Sequence, residues 1–321
     1  MSQYRAVIEG YGAYVPKRCM SNAQLEAMLD TSDEWITTRT GIKQRHIADD
    51  QEVTSDLAVH AARNALSHAG YEPDTIDLII LATATPDESF PASATRVQQK
   101  LGIPNAAAFD VNAACSGFVY AMHMADALIK TGAYRRALVI GAETMSRVVD
   151  WEDRRTAILF GDGAGACILS ANDNTDKGIV TSMIASDGAY ADILATNGGV
   201  SKTQTAGTLS MEGKEVFRHA VSKMSEAVEN CAQQGGISVS DIDILVPHQA
   251  NARILQSCAK RLKLRDDQVI MTVDQHANTS SASIPLALAC ANAQGKLKKD
   301  SWLMLTALGA GLTWGACLIR L

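Results

Sequence analysis

The 321-residue chain is predicted to be an α/β protein in which one strand-and-helix unit occurs twice. Two observations carry this. Short apolar runs alternate with stretches of helical periodicity, the pattern of sheets covered by helices. Three pairs of segments, each about 165 residues apart and in the same order, also repeat one another. Residues 70–83 (GYEPDTIDLIILAT) match 236–249 (GISVSDIDILVPHQ), and both place an Ile-Asp dipeptide before a buried strand. Residues 109–132, opening FDVNAACSG, match 273–295, opening VDQHANTSS, each read as strand, tight turn and small-residue helix. Residues 136–143 (RALVIGAE) match 301–309 (SWLMLTALG).

Along the first copy the pattern predicts a strand over 77–83, a helix near 91–101, a strand over 107–111, a long helix from about Cys115 and a strand over 137–141. That long helix, GFVYAMHMADALIK, is apolar nearly all round and is expected to be buried. Residues 172–213, rich in Asn, Thr, Gly and Ser, read as the connection between copies. In the second copy a strand over 242–246 leads into a helical stretch, QANARILQSCAKRLKL. Each copy supplies a half-sheet with helices between and outside the two sheets. The halves are expected at 1–171 and 172–321, sharing one core because no Pro-rich linker separates them.

Composition narrows the function. With 29 basic and 35 acidic side chains the net charge is −6, which does not favour nucleic acid. The longest apolar runs, such as 76–82 and 137–142, are strand-sized, far short of the roughly 20 residues a membrane span needs. The amino-terminal stretch MSQYRAVIEGYGAYVP has neither the basic nor the apolar region of a secretory leader, so a cytoplasmic protein is expected. Seven scattered cysteines with no C-x-x-C pair argue against a disulfide framework or a zinc site.

The chemistry is expected where the copies correspond. Cys115 falls at the amino terminus of the buried helix, where unpaired N–H groups and the helix dipole favour a thiolate and should lower its pKa. A thiolate is the nucleophile for acyl transfer from a thioester, and Ala113, Ala114, Ser116 and Gly117 leave room for a substrate. His248 stands at the carboxyl end of the second-copy strand, where α/β sheets bind ligands. Asn278 sits one place before the residue read as matching Cys115. His46, His60, His68, His123, His219 and His276 have no such company and read as structural. The strings GDGAGA (161–166) and GAGLTWGA (309–316) fit neither a dinucleotide fingerprint nor a Walker loop. The second reads better as a tight turn whose amides line an anion pocket beside the nucleophile. Arg253, Lys260 and Arg261 form a basic helix face beside His248, suited to an acidic partner.

The strings DTSDEWITTRTGI (30–42), AACSGF (113–118), FGDGAGA (160–166), VPHQANARI (246–254), HANTSSASIP (276–285) and GAGLTWGA (309–316) closely resemble β-ketoacyl-acyl carrier protein synthase III, the initiating condensing enzyme of bacterial type II fatty acid synthesis. The likeness runs from Tyr4 to Leu321. It implies the thiolase fold, two duplicated halves stacked as five layers, α-β-α-β-α. It further implies that Cys115 accepts an acetyl group from acetyl-CoA, and that His248 and Asn278 hydrogen-bond the thioester oxygen of malonyl-acyl carrier protein as CO2 departs. The amides of Cys115 and Ala310 would form the oxyanion hole. Trp35 and Arg154 would hold the adenine of CoA, with Thr31, Arg39, Gly213 and Asn251 along the rest of its channel. Gln249, Ala250, Asn251, Ala252 and Arg253, with Arg218, Lys214, Lys260 and Arg261, would meet the carrier protein. Phe90 would reach the acyl pocket of the second subunit of a homodimer and hints at a short primer. No metal and no redox cofactor is implied, acetyl-CoA and malonyl-acyl carrier protein being substrates.

The resemblance has departures: Ala310 stands where some members have Gly, Lys214 is at a variable position, and Leu308 replaces a frequent Phe. A degradative thiolase would need a second Cys in the last glycine turn, and 309–315 has none. A 3-hydroxy-3-methylglutaryl-CoA synthase would need an acidic base near the nucleophile, and NAACSGF has none. Aromatic and quinolone-type synthases share the three residues and stay open at this point. A non-catalytic acyl-carrier or CoA-binding module would not need the nucleophile.

Overall fold

A computed structural model describes residues 4–321; the first three residues of the stretch read above as lacking a leader lie outside it. Strands β1 (Arg5–Tyr14), β2 (Leu78–Ala82), β3 (Ala107–Val111), β4 (Arg136–Glu143) and β5 (Gly163–Asn172) form one sheet in the order β1-β5-β4-β2-β3. Strands β6 (Gly178–Ser186), β7 (Ile244–Pro247), β8 (Trp302–Gly309) and β9 (Thr313–Arg320) form another in the order β6-β9-β8-β7. The two orders superimpose, β6 on β1, β9 on β5, β8 on β4 and β7 on β2. The central pairs are parallel in both, Leu78 opposite Ala137 and Ile244 opposite Leu303.

Strand alternation sets the layers. Leu78, Ile80 and Ala82 face the space between the sheets, while Ile79 and Leu81 face outward. Two helices fill the middle, α4 (Gly117–Lys130) and α7 (Ser283–Ala293), which pack with both sheets in one buried cluster. Phe118, Val119, Met122 and Ala125 of α4 are fully buried there. Helices α2 (Thr54–Ala69) and α3 (Ser93–Leu101) cover the outer face of the first sheet, and α5 (Gly213–Gln234) and α6 (Ala252–Leu262) that of the second. The result is the five-layered stack the resemblance implies.

The repeated Ile-Asp dipeptide has a local cause. Asp77 accepts from the amides of Arg135 and Arg136 at 2.7 and 2.9 Å, and Asp243 accepts from that of Trp302 at 2.7 Å. In both halves the carboxylate satisfies the amide that opens the adjacent central strand.

Three expectations need correction. Residues 172–213 are more than a connection, because β6 is the edge strand of the second sheet and a small hairpin, Leu194–Thr196 with Leu209–Met211, follows it. The strand expected at the start of the second turn is absent: Val273–His276 is a helical turn, and only a parallel bridge between Leu245 and Val269 remains. The Gln249 side chain explains this, donating to Ile270 O at 3.0 Å and accepting from Thr272 N at 2.8 Å, so it occupies the groups a ladder would need. The correspondence of the turns also shifts by two residues. The 3-10 turn Ala114–Ser116 before α4 matches Ser280–Ala282 before α7, so Cys115 pairs with Ser281 and Asn278 with Asn112.

Candidate active site

Cys115 lies in the turn between β3 and α4, at 8% exposure. Ala114 holds φ 45°, a left-handed conformation that costs a non-glycine residue about 1–3 kcal/mol and persists only where the surroundings enforce it. The surroundings here come from the other half. Thr313 Oγ1 donates to Ala113 O at 3.0 Å and lies 2.7 Å from Ser116 Oγ, whose hydroxyl also reaches Ala113 O at 2.8 Å. Gly309, at the end of β8, backs the nucleophile turn so closely that a Cβ there would lie 2.8 Å from the amide nitrogens of Cys115 and Ser116. Only glycine fits that approach.

His248 follows β7, its amide donating to Thr306 O at 2.8 Å. Its Nδ1 lies 2.7 Å from Ser283 Oγ, the first residue of α7. Burial pushes its pKa down to about 3, so the ring is neutral at physiological pH. The backbone of Asn278 is clamped to the first half, its N–H on Leu159 O at 2.9 Å and its C=O accepting from Gly161 N at 3.1 Å. Asn278 Oδ1 accepts from Ser280 N at 2.9 Å, which turns the NH2 end of the amide toward open space.

Cys115, His248 and Asn278 all line one cavity of about 260 Å³, which Ala310, Ser280, Leu308, Asn112 and Thr85 also line. Its outer wall is apolar, built from Leu194, Leu209 and Met211 of the small hairpin with Val216 and Phe217 of α5. Gly213, Ala250 and Asn251 line it as well, and Asn251 caps α6 by accepting from Ile254 N at 3.0 Å. His46, His60, His68, His123, His219 and His276 stand outside its lining.

The thiol departs from the sequence expectation. Burial pushes Cys115 up to about 12, with the carboxylate of Glu143 adding to the rise and a hydrogen bond with Ser280 opposing it. Loss of solvation outweighs the favourable helix end, so the resting site holds a neutral thiol beside a neutral imidazole. Buried Cys231 is raised to about 12 and Cys258 to about 11, so titration does not single out Cys115; its place in the cavity does.

Trp35 and Arg39 lie on helix α1 (Asp33–Thr40), outside the cavity lining. The Trp35 ring has the Arg39 guanidinium 4.5 Å and the Arg154 guanidinium 5.4 Å from its centroid. Arg154 is anchored on Asp30 O at 2.6 Å, and Thr31 Oγ1 is buried without a partner among the described residues. Trp35 packs in one cluster with Leu209, Met211 and Ala252, which joins this platform to the cavity wall. Gly41 caps α1 at φ 75°, and a Cβ on it would lie 2.6 Å from that of Ala252, so its absence lets α1 approach the start of α6.

Arg253, Lys260, Arg261, Arg218 and Lys214 are exposed. Arg218 pairs with Glu215 at 2.6 Å and Arg261 with Glu226 at 3.3 Å, while Arg253, 5.9 Å from the Phe217 ring centroid, has no ion pair among the described residues. Gln249 corrects the sequence reading: at 1% exposure, with its amide committed to Pro247, Ile270 and Thr272, it presents nothing to a partner. Ala252 is half-buried against α1, and Phe90 is 85% exposed.

Sequence reasoning missed Glu143, Ser280 and Ser283. The search for an acid within NAACSGF could not find Glu143, which arrives beside Cys115 from the end of β4. One signal was available: RALVIGAE ends in a carboxylate where its repeat ends in glycine.

The family models agree with this architecture. Residues 109–188 match 3-oxoacyl-[acyl-carrier-protein] synthase III, and 232–321 match the carboxy-terminal part of the same family. A β-ketoacyl-[acyl-carrier-protein] synthase III of Rhodospirillum centenum is 55% identical, covering 98% of this chain and 99% of its own, and one of Ehrlichia canis is 53% identical with 99% of each covered. The chain belongs to the β-ketoacyl-acyl carrier protein synthase III family. It is an acyl-transferring condensing enzyme of fatty acid synthesis with the thiolase fold. The synthase III of Pseudomonas aeruginosa superimposes at a TM-score of 0.94 with 44% identity, covering 98% of both chains. The priming β-ketosynthase of the R1128 polyketide pathway superimposes equally well, at 0.94, with 34% identity over 100% of this chain and 98% of its own. Among the described residues no helix is long and apolar enough to cross a membrane, and no group of three His, Cys, Asp or Glu side chains is placed to hold a metal.

Proposed function

We propose that this synthase condenses acetyl-CoA with malonyl-acyl carrier protein, giving acetoacetyl-acyl carrier protein, CoA and CO2. The observation that carries the reading is one cavity lined by Cys115, His248 and Asn278 from both halves of the chain. Cys115 attacks the thioester carbonyl of acetyl-CoA. With the thiol near 12, the helix end does not ionise it, so its proton passes to neutral His248 as the C–S bond forms and then leaves with CoA. The backbone amides of Cys115 and Ala310, two residues that line the cavity, would donate to the oxygen that gains charge.

In the second step the malonyl carboxylate leaves as CO2. His248 and the Asn278 NH2 donate to the thioester oxygen, which carries the enolate charge. The carbanion then attacks acetyl-Cys115, a carbon–carbon bond replaces the C–S bond, and the released thiolate takes a proton from water. His248 must accept a proton in one step and donate a hydrogen bond in the other. Ser283 suits both, since a hydroxyl 2.7 Å from Nδ1 can accept from it or donate to it and so supports either tautomer.

Glu143 is no general base of the 3-hydroxy-3-methylglutaryl-CoA synthase kind, being wholly buried, outside the cavity lining and engaged by donors. Identity of 51–55% to fatty acid initiators against 34% to the polyketide primer favours the former pathway. CoA would enter past Trp35, its adenine between that ring and Arg154, with Thr31, Arg39, Gly213 and Asn251 along the way. The carrier protein would dock on Arg253 with Lys214, Arg218, Lys260 and Arg261. A cytoplasmic homodimer, with Phe90 reaching the partner's acyl pocket, and two halves divided at 171/172 complete the reading; the exposure of Phe90 and a core shared by both sheets support them.

The test is mass spectrometry after incubation with acetyl-CoA. The Cys115 peptide of the wild type should gain one acetyl group and that of Cys115→Ser none within the same time. An unmodified wild-type peptide would sink the reading.

A further inference from the structure

We infer that Glu143 is a positioning residue, its carboxylate holding the Asn278 turn of one half against the Thr83–Thr85 turn of the other. The inference rests on the condensing reading above. Glu143 ends β4 with no exposed surface. Its two oxygens accept from the first half at Thr83 Oγ1 (3.2 Å), Ala84 N (3.0 Å), Thr85 N (3.1 Å) and Thr85 Oγ1 (2.6 Å). From the second half they accept from Ser280 Oγ (3.0 Å), Ser281 N (3.4 Å) and Ser281 Oγ (2.8 Å). Three of these neighbours are backbone amides, which can only donate, and they fall on both oxygens, so a group that accepts on both is the one that satisfies them.

A buried carboxylate costs several kcal/mol to desolvate, and an apolar side chain would fill the same gap more cheaply. What the carboxylate does that an apolar group cannot is fix the direction of Ser280. That residue has φ 50°, its hydroxyl lies 3.0 Å from Glu143 and is also within reach of Cys115, and it gives its backbone N–H to Asn278 Oδ1 at 2.9 Å. The orientation of the Asn278 amide therefore depends on where Glu143 holds Ser280. Opposite it in the fold, at the end of β8, Gly309 backs the nucleophile turn by direct approach. Each half thus braces the other half's turn, one by contact and one by charge-assisted hydrogen bonds.

Glu143→Gln keeps the shape but turns an NH2 toward backbone amides that can only donate. Acetyl loading of Cys115, condensation with malonyl-acyl carrier protein and the melting curve should be measured on the wild type, Glu143→Gln, Ser280→Ala and the double variant. Condensation kcat is expected to fall about 10- to 100-fold in each single variant, the size of a small misplacement of a reacting group, with the KM for acetyl-CoA within about twofold and loading changed far less than condensation. The double variant should fall no further than the worse single one, because both cut one chain. Wild-type condensation in a folded single variant, loading and condensation reduced by one common factor, or additive losses would overturn the inference. If Glu143→Gln does not fold, the same split in Ser280→Ala decides. A wild type that loads no acetyl sinks the condensing reading and this inference with it, whereas a loading wild type with unaffected variants sinks the inference alone.

Discussion

In the first half a strand, β3, runs into a turn where Ala114 takes φ 45°, and the chain enters α4 carrying a thiol. In the second half no strand precedes the turn, Ser280 takes φ 50°, and the chain enters α7 carrying hydroxyls and, just before them, a carboxamide. The backbone is nearly the same and the chemistry is divided. In the proposed reaction the first turn would make and break covalent bonds, and the second would supply donors that stay neutral. The lesson is that duplication supplied two equivalent seats around one cavity, and side-chain choice gave each a different task.

The division is broken most severely at the donors. Asn278→Ala should lower condensation about 100- to 1,000-fold, the worth of one aimed donor, while acetyl loading of Cys115 proceeds as in the wild type. His248→Ala should lower condensation at least as far, and should slow loading as well, because in the proposed mechanism its ring takes the thiol proton. Partial-reaction assays with acetyl-CoA alone and malonyl-acyl carrier protein alone separate the two.

The protonation of the first turn can be sharpened by alkylation. A thiol near 12 is protonated throughout the neutral range, so the rate at the Cys115 peptide should climb about tenfold per pH unit from 7 to 10 without levelling off. His248, neutral above about 3, adds no inflection. A plateau below pH 9 would mean that the helix end had overcome burial. The smallest effect belongs to the surface outside both turns. Arg253→Ala should weaken carrier-protein binding by about 1 kcal/mol, roughly fivefold, with the difference shrinking as salt rises; titration at two ionic strengths measures it.

Much of this was legible in the chain. The central strands are apolar runs of the right length, and the spacing of their repeats located β2, β4, β7 and β8 and brought Cys115, His248 and Asn278 to one cavity. What escaped was set by side chains acting at long range. The missing edge strand follows from Gln249, whose amide takes the backbone groups of Ile270 and Thr272, just before the VDQHANTSS segment that the repeat marked as a strand. Glu143 bonds residues about 60 positions before it and 138 after it, beyond any local pattern. The thiol was misjudged because a helix end is visible in sequence and the depth of its burial is not.

The way Gly309 sits against the amides of Cys115 and Ser116 makes the two copies interdependent. A fragment stopping after β5 would keep the thiol yet lose the wall that shapes its turn. Any side chain gained at 309 would therefore be felt at 115, across the seam between the copies.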